Sequence, residues 1–175
     1  MDYSQIYLGK PLADLDYSDV EKYFSTDQSE TDQIEFKSYP PQGQSSVDDS
    51  LKGVIQSATA FLNSSGGLVI WGAPIGKVIA GKKEKVFIGD LTKVPLTVEK
   101  DWLISKISDK IIPLPMGIRV KLIAGPDSQV AVFEVDESPY APHQTDNRYY
   151  MRIDGQSKPA PHHYIDALFK RVTLK

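Results

Sequence analysis

From Leu51 onward the apolar residues fall at 51, 54, 55, 58, 61 and 62, the spacing of one buried helix face, with Ser50 or Asp49 as N-cap and Asn63 before SSGG as its end. Residues 68–72, LVIWG, form a nearly unbroken apolar run, which predicts a strand covered on both faces and central to a sheet. Upstream, ETDQIEFK (30–37) alternates: as a strand it turns Ile34 and Phe36 one way and Glu35 and Lys37 the other. GIRVKLIAGPDSQVAVFEVD (117–136) reads as a hairpin turned by GPDS, and RYYMRID (148–154) as a further strand. A second long helix is expected from Thr97 through Trp102, Leu103, Ile107 and Ile111, stopped by Pro113 and Pro115. A last helix has Pro161 in its first turn and Ile165, Leu168, Phe169 and Val172 at helical spacing.

Between these elements, YPPQGQSSVDDS (39–50) has the composition of a loop, and residues 73–97 hold only two short apolar pieces, VIAG and VFIG. In residues 1–28 the pair Ser18 and Glu21 has capping-box spacing ahead of Tyr23 and Phe24, predicting one short helix in an otherwise acidic N-terminal arm. The order of elements predicts a single α+β domain over residues 29–175: a mixed, mostly antiparallel sheet with helices packed on it.

Composition narrows the function. The 175 residues include no cysteine, which excludes disulfides, zinc–thiolate sites and cysteine nucleophiles and suits a reducing compartment. No apolar run approaches the roughly 18 residues of a membrane span, and MDYSQIYLGK lacks signal-peptide regions, so the expectation is a soluble cytoplasmic protein with no membrane partner. The net charge of −3 conceals an asymmetry. Residues 1–50 carry 11 acids and 3 bases, leaving 17 bases and 12 acids for the remaining 125, so a basic body follows an acidic start.

Local motifs are mostly negative. GAPIGK follows an apolar strand but has too few residues between its glycines for a phosphate loop, and Val78 stands where a metal-binding Ser or Thr is required. His143, His162 and His163 lack metal-ligand spacing, and no G-x-S-x-G elbow is present. The distributed signals are richer. Glu30, Glu35, Phe36 and Lys37 make an E-T-x-x-x-E-F-K opening; Ala60, Phe61, Asn63, Gly66, Gly67 and Gly72 surround the central strand; Pro142, His143, Tyr149, Tyr150, Arg152, Gly155 and Ser157 form a late block. In this order the three blocks resemble the Schlafen AlbA-type domain, a family of bacterial DNA-binding domains also similar to the lobes of the animal Schlafen core.

The resemblance implies a Schlafen AlbA-like fold and a nucleic-acid partner, DNA or RNA, with transcriptional regulation as one use. Similar animal cores cleave RNA with two glutamates at the spacing of Glu30 and Glu35 and a third acid just after the central strand. That acid would fall near Ala73 or Pro74 and is missing here. The alternative is therefore a metal-dependent endoribonuclease, with Glu30 and Glu35 as Mg²⁺ or Mn²⁺ ligands and Lys37 beside them, and Asp48, Asp49 or Asp90 the acids left to replace the third. The binding reading expects no cofactor and no catalysis. It rests on Lys77, Lys82, Lys83 and Lys85 as phosphate contacts and on Arg148, Tyr150, Arg152 and Lys158 as a site of mixed charge and stacking. Because animal cores place two lobes around a groove, a homodimer is expected by analogy. A third class is a protein-interaction module docking through the acidic arm.

Overall fold

A computed structural model describes residues 1–173, with side chains through residue 171; the side chains of Val172 and Thr173 and residues 174–175 at the end of the expected domain lie outside it. The chain folds as α1 (Tyr3–Leu8), a 3₁₀ turn (Leu12–Asp14), α2 (Tyr17–Tyr23), β1 (Ile34–Lys37), α3 (Val47–Leu62), β2 (Gly67–Trp71), β3 (Lys77–Val78), β4 (Lys85–Val86), α4 (Lys100–Lys110), β5 (Ile118–Ala124), β6 (Gln129–Val135), β7 (Gln144–Thr145), β8 (Arg148–Ile153), β9 (Gln156–Pro159) and α5 (His162–Thr173). The main sheet has the order β1-β2-β6-β5, with β1 parallel to β2 and the other pairings antiparallel. This is an α+β fold with a mixed, mostly antiparallel sheet.

Both faces of that sheet are covered, which explains the apolar runs. Val69, Trp71, Phe133 and Val135 pack against α3 and α4, while Ile34, Phe36, Leu68, Ile70 and Val132 pack against the N-terminal helices. Every residue of β2 and β6 is buried, as strands sandwiched between two layers require. On the α3 side lies a second antiparallel meander, β7-β8-β9. Its turns place Asp146 and Asn147, then Asp154 and Gly155, at positive φ, the conformation that tight two-residue hairpins demand. β3 and β4 pair as a separate short hairpin.

Several boundaries differ from expectation. α3 starts earlier, because the Ser46 hydroxyl accepts from the Asp49 N–H at 3.1 Å and caps the helix ahead of Ser50 or Asp49. α4 starts at Lys100 rather than Thr97, with Glu99 as its N-cap. Pro161 precedes α5, where its carbonyl accepts from the N–H groups of Tyr164 and Ile165. In α2 the capping box is made by Asp16 and Asp19, not by Ser18 and Glu21. Nor does the acidic stretch behave as an arm. Tyr3, Leu15, Val20 and Phe24 are 2% exposed or less and complete the core beneath Phe36 and Phe87, so its acids occupy the outer faces of packed helices. Among the described residues, no helix is long and apolar enough to cross a membrane.

Candidate functional site

The alternation of β1 sends Glu35 and Lys37 toward α3 and the meander, where both find partners. The Glu35 carboxylate, on a residue only 5% exposed, accepts from the Lys37 ammonium at 2.6 Å and from the Arg152 guanidinium of β8. Arg152 also donates to the carbonyls of Thr31 at 2.6 Å and Ile34 at 3.3 Å and to the Ser157 hydroxyl at 3.0 Å. Its guanidinium carbon lies 4.7 Å from the centre of the buried Phe61 ring. Glu30 enters from the segment before β1, and its Oε1 accepts from the Phe36 N–H at 2.9 Å. Burial, reinforced by the neighbouring negative charge of Glu35, pushes the Glu30 carboxyl up to about 7.

This donor set does not fit a divalent ion. A catalytic Mg²⁺ or Mn²⁺ needs anionic oxygens free to face it. Here one carboxylate is already neutralised by two cations, and the other has an oxygen committed to the Phe36 N–H. Two of the acids that might have replaced the missing third are engaged elsewhere: Asp48 pairs with Lys106 at 2.8 Å, and Asp49 binds its own helix cap. Ala73 is fully buried, and the Pro74 carbonyl accepts from the Ser38 hydroxyl. Among the described residues, no group of three or more His, Asp or Glu side chains is placed to hold a metal.

A second polar hub joins the other two sequence blocks. Asn63, buried at the end of α3, donates through its amide nitrogen to the carbonyls of His143 and Tyr150 at 2.8 and 2.9 Å and accepts from the His143 N–H at 2.6 Å. The His143 ring donates from Nδ1 to the Pro113 carbonyl and accepts at Nε2 from Ser138 Oγ, the neutral tautomer that burial favours by lowering its pKa. Gly66 and Gly67 permit this junction. A methyl on Gly67 would sit 2.4 Å from Phe61, and Gly66 combines positive φ with a methyl position 2.6 Å from the Val135 carbonyl. The Asn, His and glycines that stand out in the sequence therefore fix how α3, β2 and the meander meet.

The residues expected to meet nucleic acid divide into two sets. Lys77, Lys82, Lys83 and Lys85 are all exposed on the β3–β4 hairpin and the turn joining its strands. Arg148 and Lys158 are exposed on the meander, away from that hairpin in sequence and sheet. Tyr150 and Arg152, in contrast, are 8% and 6% exposed. They alternate inward on β8, where Arg152 is consumed by β1 and the Tyr150 carbonyl by Asn63. Sequence reasoning missed Thr31, Asn63 and Ser157 as partners in this interior network. The available signal was the two-residue period of β8, which sends Arg152 wherever Tyr150 goes.

The family model described as Schlafen, AlbA_2 matches residues 30–161. None of the curated proteins compared matches the chain in sequence. Among solved structures, the N-terminal domain of an ATP-dependent DNA helicase RecG-related protein from Nitrosomonas europaea is similar at 16% identity and a TM-score of 0.46, over 82% of this chain and 93% of that one. The DIP2311 protein from Corynebacterium diphtheriae is similar at 17% identity and a TM-score of 0.43, over 73% of this chain. The match spans about a fifth, 21%, of the Corynebacterium chain.

Proposed function

The chain belongs to the Schlafen AlbA_2 family, and from that premise we propose that it is a nucleic-acid-binding domain whose phosphate contacts are centred on the β3–β4 hairpin. One observation carries the reading. Lys77, Lys83 and Lys85 are exposed without an ion-pair partner among the described residues, and Lys82 has only the exposed Asp27 at 3.6 Å. A local excess of ammonium groups attracts a polyanion and gains from the release of its counterions. The same hairpin region exposes Ile75 at 60% and Val78 at 79%, apolar surface suited to sugars and bases beside the phosphates.

Arg148 and Lys158 extend the proposed contact; Arg152 and Tyr150 support it only by holding the meander in place. The Glu30–Glu35 pair is assigned to the scaffold and not to hydrolysis. A role in transcriptional regulation is the finer form of the proposal and requires preference for particular sequences. The proposal extends to a homodimer, because one short hairpin offers a small footprint and two copies would double it; light scattering with and without an oligonucleotide reads that directly.

Fluorescence anisotropy of labelled transfer RNA, single-stranded DNA and duplex DNA, titrated across about 50 to 200 mM salt, tests the central claim. Salt-sensitive binding that is lost in the Lys83→Glu, Lys85→Glu double variant supports it. Absence of binding to all three at low salt overturns it and leaves a protein-interaction module.

A further inference from the structure

β1 and β2 run parallel through α3, and in α/β units ligands tend to enter where the loops diverge beyond the carboxyl ends of such strands. A cavity of about 720 Å³ opens at that place, between residues 39–47 after β1, Ile75 after β2 and the 92–95 segment. Its size and apolar character are those of a site for a small organic group. Tyr39, Pro41, Val47, Ile75 and Pro95 line it, with Gln42 and Ser45 offering hydrogen bonds. Tyr39 is only 9% exposed and is held against the Trp71 ring at 5.7 Å between centroids, so the aromatic part of the cavity wall is rigid.

Charge restricts what can enter. Lys93 and Asp127 at the rim neutralise one another. The positive end of α3 is already answered by Asp48 and Asp49 in its first turn, and Lys93, the cation of the lining, is already paired, so nothing there calls for a phosphate. An uncharged ring is favoured. Just outside, the charge reverses: Gly76 and Lys77 follow Ile75 directly, and a methyl placed on Gly76 would lie 3.3 Å from the Lys85 side chain. A neutral, ring-sized cavity thus stands one residue from an ammonium cluster.

Resting on the nucleic-acid reading, we infer that this cavity seats an unpaired base of a single-stranded nucleic acid whose phosphates run onto the β3–β4 hairpin. A paired base cannot enter without being flipped out of the helix, at a cost of a few kcal/mol. Single strands are therefore bound in preference to duplex, and RNA and DNA share the base chemistry that is read.

The test compares anisotropy of a single-stranded oligonucleotide and its duplex for the wild type, Ser45→Trp and Lys83→Glu. Ser45 lies in a loop where its side chain makes only a weak contact with the neighbouring Ser46 carbonyl, so an indole there fills the cavity from its loop side. The expected result is about tenfold weaker single-strand binding for Ser45→Trp with duplex binding unchanged, the size expected for one lost base–aromatic stack. Photocrosslinking of a 5-iodouracil oligonucleotide should map to Tyr39 or the 40–47 loop. Equal affinity for strand and duplex, or a Ser45→Trp variant that binds like wild type with crosslinks elsewhere, overturns the base pocket. If Lys83→Glu still weakens binding in that case, the nucleic-acid reading survives; if the wild type binds neither probe, both fall.

Discussion

Glu35 of β1 and Arg152 of β8 form an ion pair across 117 residues of chain, with both side chains almost wholly buried. Burying two charges costs several kcal/mol each, and their attraction offsets this only when the remaining donors and acceptors are satisfied. Lys37, Thr31, Ile34 and Ser157 supply most of those partners.

Arg152→Met should therefore destabilise the protein by about 3 to 5 kcal/mol, because it leaves the Glu35 charge short of a buried partner. The double variant Glu35→Leu, Arg152→Met should recover most of that loss. Urea denaturation of the two variants and the wild type measures the difference, and a double variant as unstable as the single one would contradict it.

Glu30 makes stability depend on pH in an unusual direction. Its folded-state value of about 7 lies above the ordinary 4.5, so between those values the folded protein holds a proton that the unfolded chain releases. Its contribution is fully present below about 4.5 and is lost as pH rises toward 7. His143, held neutral by burial, acts in the opposite sense as pH falls below its ordinary 6.5. Comparison with Glu30→Gln isolates the carboxyl: the wild type should lose up to about 3 kcal/mol relative to the variant between pH 4.5 and 7.5.

Asn63→Ala removes three buried hydrogen bonds and strands two carbonyls and an N–H. With about 1 to 3 kcal/mol for each unsatisfied group, the expected loss is at least about 3 kcal/mol. Asn63→Asp should be no better, since its carboxylate would face the same two carbonyls. Thermal melts of both variants provide the check.

Deleting residues 1–28 should yield insoluble protein rather than a better nucleic-acid binder. The deletion uncovers Ile34, Phe36 and Ile70 by removing Tyr3, Leu15, Val20 and Phe24. The smaller change Phe24→Ala should cost about 3 to 5 kcal/mol. A soluble truncated protein with unchanged melting temperature would show that this layer is dispensable.

For the hairpin, each lysine that contacts a phosphate should contribute about 0.9 to the salt slope on duplex DNA and about 0.7 on single strands. The Lys83→Glu, Lys85→Glu double variant should thus reduce the slope by about 1.4 on single strands as well as weaken binding. An unchanged slope would place the phosphates elsewhere.

Much of the architecture was legible because burial imposes period. The helical spacing of Leu51 to Leu62, the apolar run of β2 and the β5–β6 hairpin all follow from which faces meet the core. The meander was only half legible. Asp154-Gly155 is a strong hairpin signal, but β7 and β9 span two and four residues, too short to show a pattern. Charge concealed the rest: the acids of residues 1–28 drew attention from the buried Val20 and Phe24, and Arg152 carried a cation's usual expectation of solvent. The cavity beside Tyr39 could not be seen in sequence, since its lining comes from four separate segments.

β1 ends the main sheet with β2 on only one side, which leaves a row of backbone groups that could template another chain. Glu30 and Arg152 cap part of that row. Glu30 takes the outward Phe36 N–H, and Arg152 joins the Thr31 N–H on the outward Ile34 carbonyl. The motif that elsewhere invites thoughts of catalysis acts here as a seal against edge-to-edge aggregation, and variants that loosen it should form β-rich aggregates before they unfold.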